Sequence, residues 1–163
     1  MVQVGLSLSN EQGHLSLGLV GNHVAWQINL RGFDEASDLF DSESLKMLKK
    51  KIDLNVHPRL GVSPATFGVF FGHISMNNHG DLKFVCFHGI PNLAFLVKYV
   101  NQDTPLPDSL KAFMYLLGGY FGTNIYDIKH LVKYSEVPEF VCRYDLDHMV
   151  TFYRLGRETG SCQ

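Results

Sequence analysis

The eight histidines of this chain are the first residues to test for chemistry, because imidazole nitrogens bind metals and transfer protons. Their spacing does not favour a metal site: His73 and His79 are separated by a predicted loop, and no H-E-x-x-H pair occurs. His88 follows a short apolar segment, and α/β folds bind ligands at such strand ends. His88 is therefore a candidate site residue, and a packed or hydrogen-bonded structural histidine is the alternative.

Other reactive residue types give weaker indications. No G-x-S-x-G, Walker loop or G-x-G-x-x-G occurs, so acyl transfer and nucleotide binding have no support. Asp127 precedes a predicted helix, which is typical of an N-cap or salt-bridge partner and less often of a metal ligand. The three cysteines, Cys86, Cys142 and Cys162, have no paired spacing, so we expect a reducing compartment and neither a disulfide framework nor a zinc site.

Length and composition limit the class of protein. The chain has 163 residues, of which 45% are hydrophobic and 18% charged, which predicts a single domain over 1–163. The net charge of −2 argues against a protein that binds nucleic acid through bulk charge alone. No apolar run reaches the roughly 18 residues that span a bilayer, and the first residues lack a secretory signal. We expect no membrane partner.

The first half of the chain predicts two strands and two helices. Apolar residues alternate in Val2–Leu8 and Val24–Leu30, which favours two antiparallel strands, with a turn at Asn10–Gly13 after the first. A helix over Glu43–Ile52 follows a plausible N-cap at Asp41-Ser42. Another helix is expected to begin at Ser63-Pro64, since proline favours the first helical position.

The first of these helices carries a cluster of lysines. The cluster consists of Lys46 and the run Lys49–Lys51. A solvated helix face is the simpler interpretation, and an RNA-phosphate patch is the alternative.

The second half alternates strand and helix. Leu82–Phe87 is short and apolar, which predicts a strand buried on both faces at the centre of a sheet. A helix opens at Pro91, and a strand at Ile125–Asp127 leads into a helical turn. A last amphipathic helix carries Leu146, Met149, Val150 and Tyr153. The order of elements predicts an α/β domain with a mixed sheet.

One more helix is expected after Pro107. Its inward residues are predicted to be Leu110, Phe113, Met114 and Leu117. Gly118-Gly119 should weaken or end it, because glycine disfavours helix interiors.

Several segments resemble one known family. Cys86–Lys98 is similar to a degraded F-H-S-x-Y-D-F-x-Y-L-x-K pattern. Val2–Gly13 resembles I-Q-L-G-L-T followed by N-E-Q-G, and Trp26–Asn29 resembles W-Q-F-N-F. Tyr120–Gly122 and Ile125–Leu131 resemble Y-F-G and I-Y-D-V-K-H/Y-L. All of these patterns belong, in the same order, to the Caf/Pop-type deadenylase subunit of the CCR–NOT complex, in the form found in plant members.

The resemblance implies a fold, a reaction and partners. The fold would be that of the DEDD superfamily, RNase H-like or RNase D-like, with a mixed central sheet flanked by helices. The reaction would be removal of poly(A) from the 3′ end, with two divalent ions, Mg²⁺ or Mn²⁺, held by four carboxylates. The expected partners are the CCR–NOT scaffold and nuclease subunits and, more weakly, poly(A) RNA. Nucleus and cytoplasm are the expected locations.

The four carboxylates are missing or replaced when the family pattern is carried over. The chain begins after D-T-E-F-P-G, and Asn92 stands where F-H-S-x-Y-D has its aspartate. The segment Arg157–Gln163 matches the stretch before A-G-S-D, so we expect the first strand and the C-terminal helices to be absent. An amide supplies no negative charge to a divalent cation. His88 matches the motif histidine and shapes the motif, and Lys98 is a candidate RNA contact.

Three hypotheses follow for the function. The chain is a catalytically inactive family member that keeps binding surfaces and needs no metal cofactor, which is the interpretation we favour. Alternatively, it is an active deadenylase represented by a partial gene model, in which Asn92 would still be wrong. A third alternative is a truncated gene product without selected activity. If metal binding has moved to other carboxylates, Asp127 and Asp145 are the candidates.

Overall fold

The computed structural model of the chain describes residues 1–54, 56–78, 80–102, 104–135 and 145–155. The chain divides into two compact units on either side of the Phe67–Gly68 boundary. Each unit contains one two-stranded sheet. Strands, helices and small sheets together confirm the predicted α/β class, whereas the prediction of a single domain over 1–163 stays a prediction.

The first unit is built on an antiparallel pair of strands. β1 (Gln3–Ser7) pairs with β2 (Ala25–Asn29), in a register that sets Gln3 opposite Asn29. Both predicted strands are therefore confirmed. The ladder continues at Leu30, which is fully buried and donates its backbone N–H to the carbonyl of Val2 at 2.8 Å.

Two helices of the first unit and one that crosses the boundary follow. α1 (Ser42–Lys49) begins at the predicted N-cap, where the Asp41 carboxylate accepts the Ser44 N–H, but it ends at Lys49 and not at Ile52. The short α2 (His57–Leu60) leads to α3 (Pro64–Asn77), whose predicted start is confirmed.

The second unit contains a parallel pair of strands and four helices. β3 (Phe84–Cys86) pairs with β4 (Ile125–Asp127). The helices are α4 (Ile90–Val100), α5 (Leu110–Phe121), α6 (Ile128–Lys133) and α7 (Leu146–Phe152). Among the described residues, none of the helices is long and apolar enough to cross a membrane.

Aromatic rings form the core of the second unit. The rings of Phe71, Phe84 and Phe121 contact one another, with centroid separations between 5.4 and 6.4 Å. Val97 of α4 and Leu117 of α5 are also fully or almost fully buried. Burial of such side chains fixes α3, α4 and α5 around β3.

The prediction that Leu82–Phe87 is a strand buried on both faces is wrong. β3 has only three residues, and within the described residues it pairs with β4 alone. Successive side chains of a strand point to opposite faces, so the contact of Phe84 with the core turns Val85 outward. Val85 is accordingly 64% exposed.

The predicted inward face of α5 is also partly wrong. Phe113 and Leu117 are buried, whereas Leu110 and Met114 lie on the flank and are exposed. The helix continues past Gly118-Gly119 to Phe121, because burial of Phe121 offsets the cost of about 1 kcal/mol that each glycine imposes.

Candidate functional site: the junction between two strands and two helices

The candidate site lies where β3 and β4 end side by side. The parallel register sets Cys86 opposite Asp127, so the carboxyl ends of both strands lie at the same edge of the sheet. Helices α4 and α6 begin directly beyond this edge. This is the position at which open α/β sheets bind ligands.

One carboxylate connects the two turns at this edge. Asp127 Oδ1 accepts the backbone N–H of His88 at 2.9 Å, and Oδ2 accepts that of Gly89 at 2.8 Å. Oδ1 also accepts the N–H of Lys129 at 3.0 Å, which makes Asp127 the N-cap of α6. The predicted cap is thus confirmed, but its carboxylate also binds a turn that is distant in sequence. We call the turn His88-Gly89 together with Asp127 the Asp127 junction.

The backbone of the turn is shaped to reach this carboxylate. His88 has φ of 52°, in the left-handed region that few side chains adopt, and its side chain is exposed. Gly89 is buried, and a Cβ atom there would lie 2.7 Å from the Cβ atom of Cys86. Consecutive N–H groups in such a turn form an anion-binding concavity, and Asp127 is the anion that it binds.

The charges at the junction favour a structural role. Burial tends to raise the pKa of Asp127, but the N–H groups of Gly89, His88, His130 and Lys129 outweigh it and hold the pKa below its ordinary value. Burial, and then the charge of Asp127, raise the pKa of the Cys86 thiol. A thiol with a raised pKa is protonated at neutral pH and is a weak nucleophile.

The three site residues predicted from the family pattern do not converge. Asn92 is exposed in the first turn of α4, and Lys98 is exposed in its last turn, about 9 Å further along the helix axis. His88 contributes its backbone N–H to the junction, and its imidazole faces solvent. The roles predicted for His88 in shaping the motif and for Lys98 in contacting RNA stay predictions.

The remaining candidate site residues either form contacts away from the Asp127 junction or lie outside the described residues. Lys49 forms a 2.6 Å ion pair with Glu35, which favours the solvated-face interpretation of the α1 lysines. Asp145 is the N-cap of α7, and its Oδ1 lies 2.7 Å from His148 Nδ1. His79, Cys142 and Cys162 lie outside the described residues.

The described residues do not fit a divalent metal pair. No three of their His, Cys, Asp or Glu side chains converge so as to hold a metal ion. At the Asp127 junction the carboxylate already accepts three N–H groups, and a metal would have to displace them. Asn92, at the position where the family pattern leads us to expect an aspartate, offers a neutral amide oxygen.

Sequence reasoning missed Gly89 and the second role of Asp127. The signal available for Gly89 was the deviation from F-H-S, where glycine replaces serine after the histidine. Asp127 lies 38 residues from Gly89, so no local pattern connects the two.

Several known proteins are similar to the chain in sequence. No protein-family model matches the chain. The chain is 32% identical to the probable CCR4-associated factor 1 homolog 10 of Arabidopsis thaliana over 136 residues, 82% of this chain and 48% of that protein. It is 31% identical to the poly(A) ribonuclease pop2 of Schizosaccharomyces pombe over 134 residues, 82% of this chain and 38% of that protein. The chain is homologous to the CCR4-associated factor 1 and Pop2 proteins.

Solved structures agree with this CCR4-associated factor and Pop2 homology. S. pombe Pop2p in its Mg²⁺- and Mn²⁺-bound form matches with a TM-score of 0.77 and 26% identity, over 96% of this chain and 58% of that one. A structure of the yeast NOT1 MIF4G domain co-crystallized with CAF1 matches with a TM-score of 0.70 and 24% identity, over 97% of this chain and 57% of that one. The second match supports the fold alone.

These comparisons confirm the resemblance to CCR4-associated factor 1 and Pop2 proteins that the sequence patterns indicated. The chain spans about half the length, or less, of the CCR4-associated factor 1 and Pop2 relatives given above. Divalent metal is confirmed for the homologous Pop2p, which was solved with Mg²⁺ and Mn²⁺. The described residues of this chain are similar in fold to that protein, with Asn92 in the first turn of α4 and the Asp127 carboxylate hydrogen-bonded to backbone N–H groups at the end of β4.

Proposed function

We propose that this chain acts in shortening of mRNA poly(A) tails as a subunit that binds the CCR4–NOT complex and does not itself cleave RNA. The observation that carries the proposal is the chemistry of the Asp127 junction. The carboxylate of Asp127 accepts the backbone N–H groups of the turn His88-Gly89, and Asn92 supplies no charge.

Charge is the physical reason for expecting inactivity. Two divalent ions about 4 Å apart must be held by several anions while they stabilise the attacking and leaving oxygens. A neutral amide at residue 92 contributes an oxygen ligand without charge. A second ligand from Asp127 would require the loss of the hydrogen bonds that connect the two turns.

Support for the partner comes from the relatives. One of the two sequence relatives is named as a probable CCR4-associated factor, and a solved structure that shares the fold contains the MIF4G domain of NOT1 together with CAF1. We extend this to the present chain as a proposal: it binds the NOT scaffold, lies beside the nuclease subunits and acts in the nucleus and the cytoplasm.

A deadenylation assay tests the inactivity. The purified chain is incubated with 5′-labelled RNA ending in oligo(A) and with Mg²⁺ or Mn²⁺, beside Asn92→Asp and a full-length Pop2-type enzyme. We expect no shortening by the chain or by Asn92→Asp, because one restored carboxylate does not hold two ions. Stepwise shortening by the unaltered chain, blocked by EDTA, would overturn the proposal and support the active alternative.

A binding measurement tests the partner. Isothermal titration of the chain into the NOT1 MIF4G domain should show saturable binding at one to one. Thermal unfolding of the same sample provides the control, since a cooperative transition shows that the chain is folded. A cooperatively folding chain that fails to bind the MIF4G domain would contradict the proposed partner, and a chain without a cooperative transition would support the truncated-product alternative.

A further inference from the structure

We propose that the exposed side of α6 binds single-stranded RNA through a combined surface of cations and rings. The surface, which we call the α6 patch, is formed by five side chains on or beside this helix. They are Phe87, Lys129, His130, Lys133 and Tyr134. The proposal rests on the proposed function for the choice of an adenine-rich strand and extends it by assigning the residues in contact.

The helix itself separates this surface from the core. At about 100° per residue, Lys129, His130, Lys133 and Tyr134 occupy an arc of roughly 140°. Val132 lies outside this arc and is buried against Met149 of α7. The cations and rings therefore form one face, and the apolar side fixes it to the protein.

Rings and ammonium groups are paired within the patch. The Lys129 ammonium lies 5.8 Å from the ring centroid of Phe87, and the Lys133 ammonium lies 5.7 Å from that of Tyr134. The rings of His130 and Tyr134 are 4.8 Å apart, and Tyr134 is 72% exposed. Proteins that bind single strands combine these two elements, with cations for the phosphates and rings for the base faces.

The charge of the patch is not neutralised by its own element. The described segment Ile128–Ser135 contains no acidic residue, and Glu136, which follows it, lies outside the described residues. The adjacent Asp127 directs its oxygens to the N–H groups of the junction. By contrast, Lys49 of α1 is paired with a glutamate. The α6 patch is thus better suited to phosphates than the α1 lysines.

Position and rigidity also favour this surface. α6 begins at the carboxyl end of β4, at the sheet edge where α/β folds bind ligands. Phe87 packs against the Val132 and Met149 cluster and also contacts Lys129, so one ring connects the core to the patch. A surface that is held in place by a packed core loses less conformational entropy when it binds a ligand.

An acidic peptide would contact the lysines of the α6 patch but not its rings. Carboxylates would pair with Lys129 and Lys133 but would leave the rings of His130 and Tyr134 without a planar partner. A nucleotide supplies a phosphate and a planar base together, which matches the alternation of cations and rings.

Fluorescence anisotropy with labelled oligo(A) of about 12 nucleotides tests the proposal on the full chain. We expect the double variant Lys129→Ala and Lys133→Ala to weaken binding at least about tenfold. It should also reduce the salt slope by about 1.4, since each lost phosphate contact removes about 0.7. The matched control is Lys111→Ala, which removes an exposed lysine from α5 and should change the affinity less than about twofold.

A second pair of variants tests stacking separately from charge. Tyr134→Leu removes the ring and should weaken oligo(A) binding about tenfold, whereas Tyr134→Phe keeps the ring and should bind within about twofold of the parent chain. Both variants leave net charge unchanged. Thermal unfolding of each variant shows whether it is folded. The comparison of Tyr134→Leu with Tyr134→Phe remains a test even where the double lysine variant does not fold.

Three results would overturn the proposal. The first is that the folded parent chain does not bind oligo(A). The second is that Lys111→Ala weakens binding as much as the double lysine variant. The third is that polyglutamate displaces the probe at lower concentration than unlabelled oligo(A), which would identify an acidic peptide as the ligand. Binding of the same samples to the NOT1 MIF4G domain shows separately whether the proposed function fails.

Discussion

The turn Asn10–His14, which we call the Asn10 turn, and the Asp127 junction both use one side chain to bind several backbone N–H groups, but they differ in the sequence separation of the groups they connect. Asn10 Oδ1 accepts from Gln12 and His14 at 3.1 and 2.9 Å, within the same exposed turn. Asp127 accepts from Lys129 in its own turn and also from Gly89, which is 38 residues away.

The comparison shows how the charge of the acceptor and the sequence separation of the bonded groups increase stability. A charged acceptor forms stronger hydrogen bonds than a neutral amide, with about 1.5–3 kcal/mol against about 1 kcal/mol for each interaction. A contact across 38 residues also constrains two elements, whereas a contact within one turn orders only that turn. We therefore expect damage at the Asp127 junction to lower the stability of the second unit more than damage at the Asn10 turn lowers that of the first.

Gly89→Ala should have the largest effect, because it disrupts the geometry of the junction. The added Cβ would lie 2.7 Å from the Cβ of Cys86, so the turn would have to move away from Asp127. We expect a loss of about 3 kcal/mol in the free energy of unfolding, measured by urea denaturation. Gly119→Ala is the control: space is open there, and alanine in a helix should stabilise by about 0.5–1 kcal/mol.

An equal effect of the two alanine substitutions would contradict the steric explanation for Gly89. Gly13 is a second control for the steric explanation, because it has φ of 82° but open space around it. Gly13→Ala should cost only about 1 kcal/mol of conformational strain in the Asn10 turn.

Asp127→Asn should have the next largest effect. The amide keeps one acceptor oxygen but loses the charge, so the N–H groups of His88, Gly89 and Lys129 are no longer all satisfied. We expect a loss of about 2 kcal/mol in the free energy of unfolding. Asp108→Asn, an exposed aspartate before α5, should change it by less than about 0.5 kcal/mol. If both substitutions cost the same, the junction does not contribute as proposed.

The contribution of Asp127 should also depend on pH. Its folded pKa lies below the ordinary value of 3.8, because the backbone N–H bonds outweigh the effect of burial. A lowered folded pKa gives stability that is fully present above the unfolded pKa and is lost as the pH falls through the folded pKa. The difference between the parent chain and Asp127→Asn should therefore be complete near about pH 6 and should shrink below about pH 4. A difference that stays constant down to low pH would contradict the ionised junction.

Asn10→Ala should have the smallest effect. It removes the hydrogen bonds that Asn10 Oδ1 accepts from Gln12 and His14, and the 3.5 Å contact of Asn10 Nδ2 with His14 Nδ1, from an exposed turn where water replaces the lost partners. We expect a loss of about 0.5–1 kcal/mol, and between about pH 5 and 3 this loss should change less than that of Asp127→Asn, because the amide carries no charge. A loss as large as that of Asp127→Asn would remove the contrast between the two regions.

The sequence by itself determined the local features of this protein. Alternation predicted β1 and β2, and short polar side chains before apolar runs predicted the caps at Asp41 and Asp127. The family patterns predicted the homology to CCR4-associated factor 1 and Pop2, which the comparisons confirm. These features depend on residues within a few positions of one another, so their physical causes are visible in the order of the residues.

Only the tertiary structure decided which distant groups meet. Pairing of β3 with β4 brings Asp127 to His88 and Gly89, and the packing of Phe84 turns Val85 outward against the predicted burial. The α6 patch likewise depends on Phe87 reaching Lys129 from another element. Such contacts are set by the packing of whole strands and helices, which minimises exposed apolar area across the unit and leaves no periodic signal in the sequence.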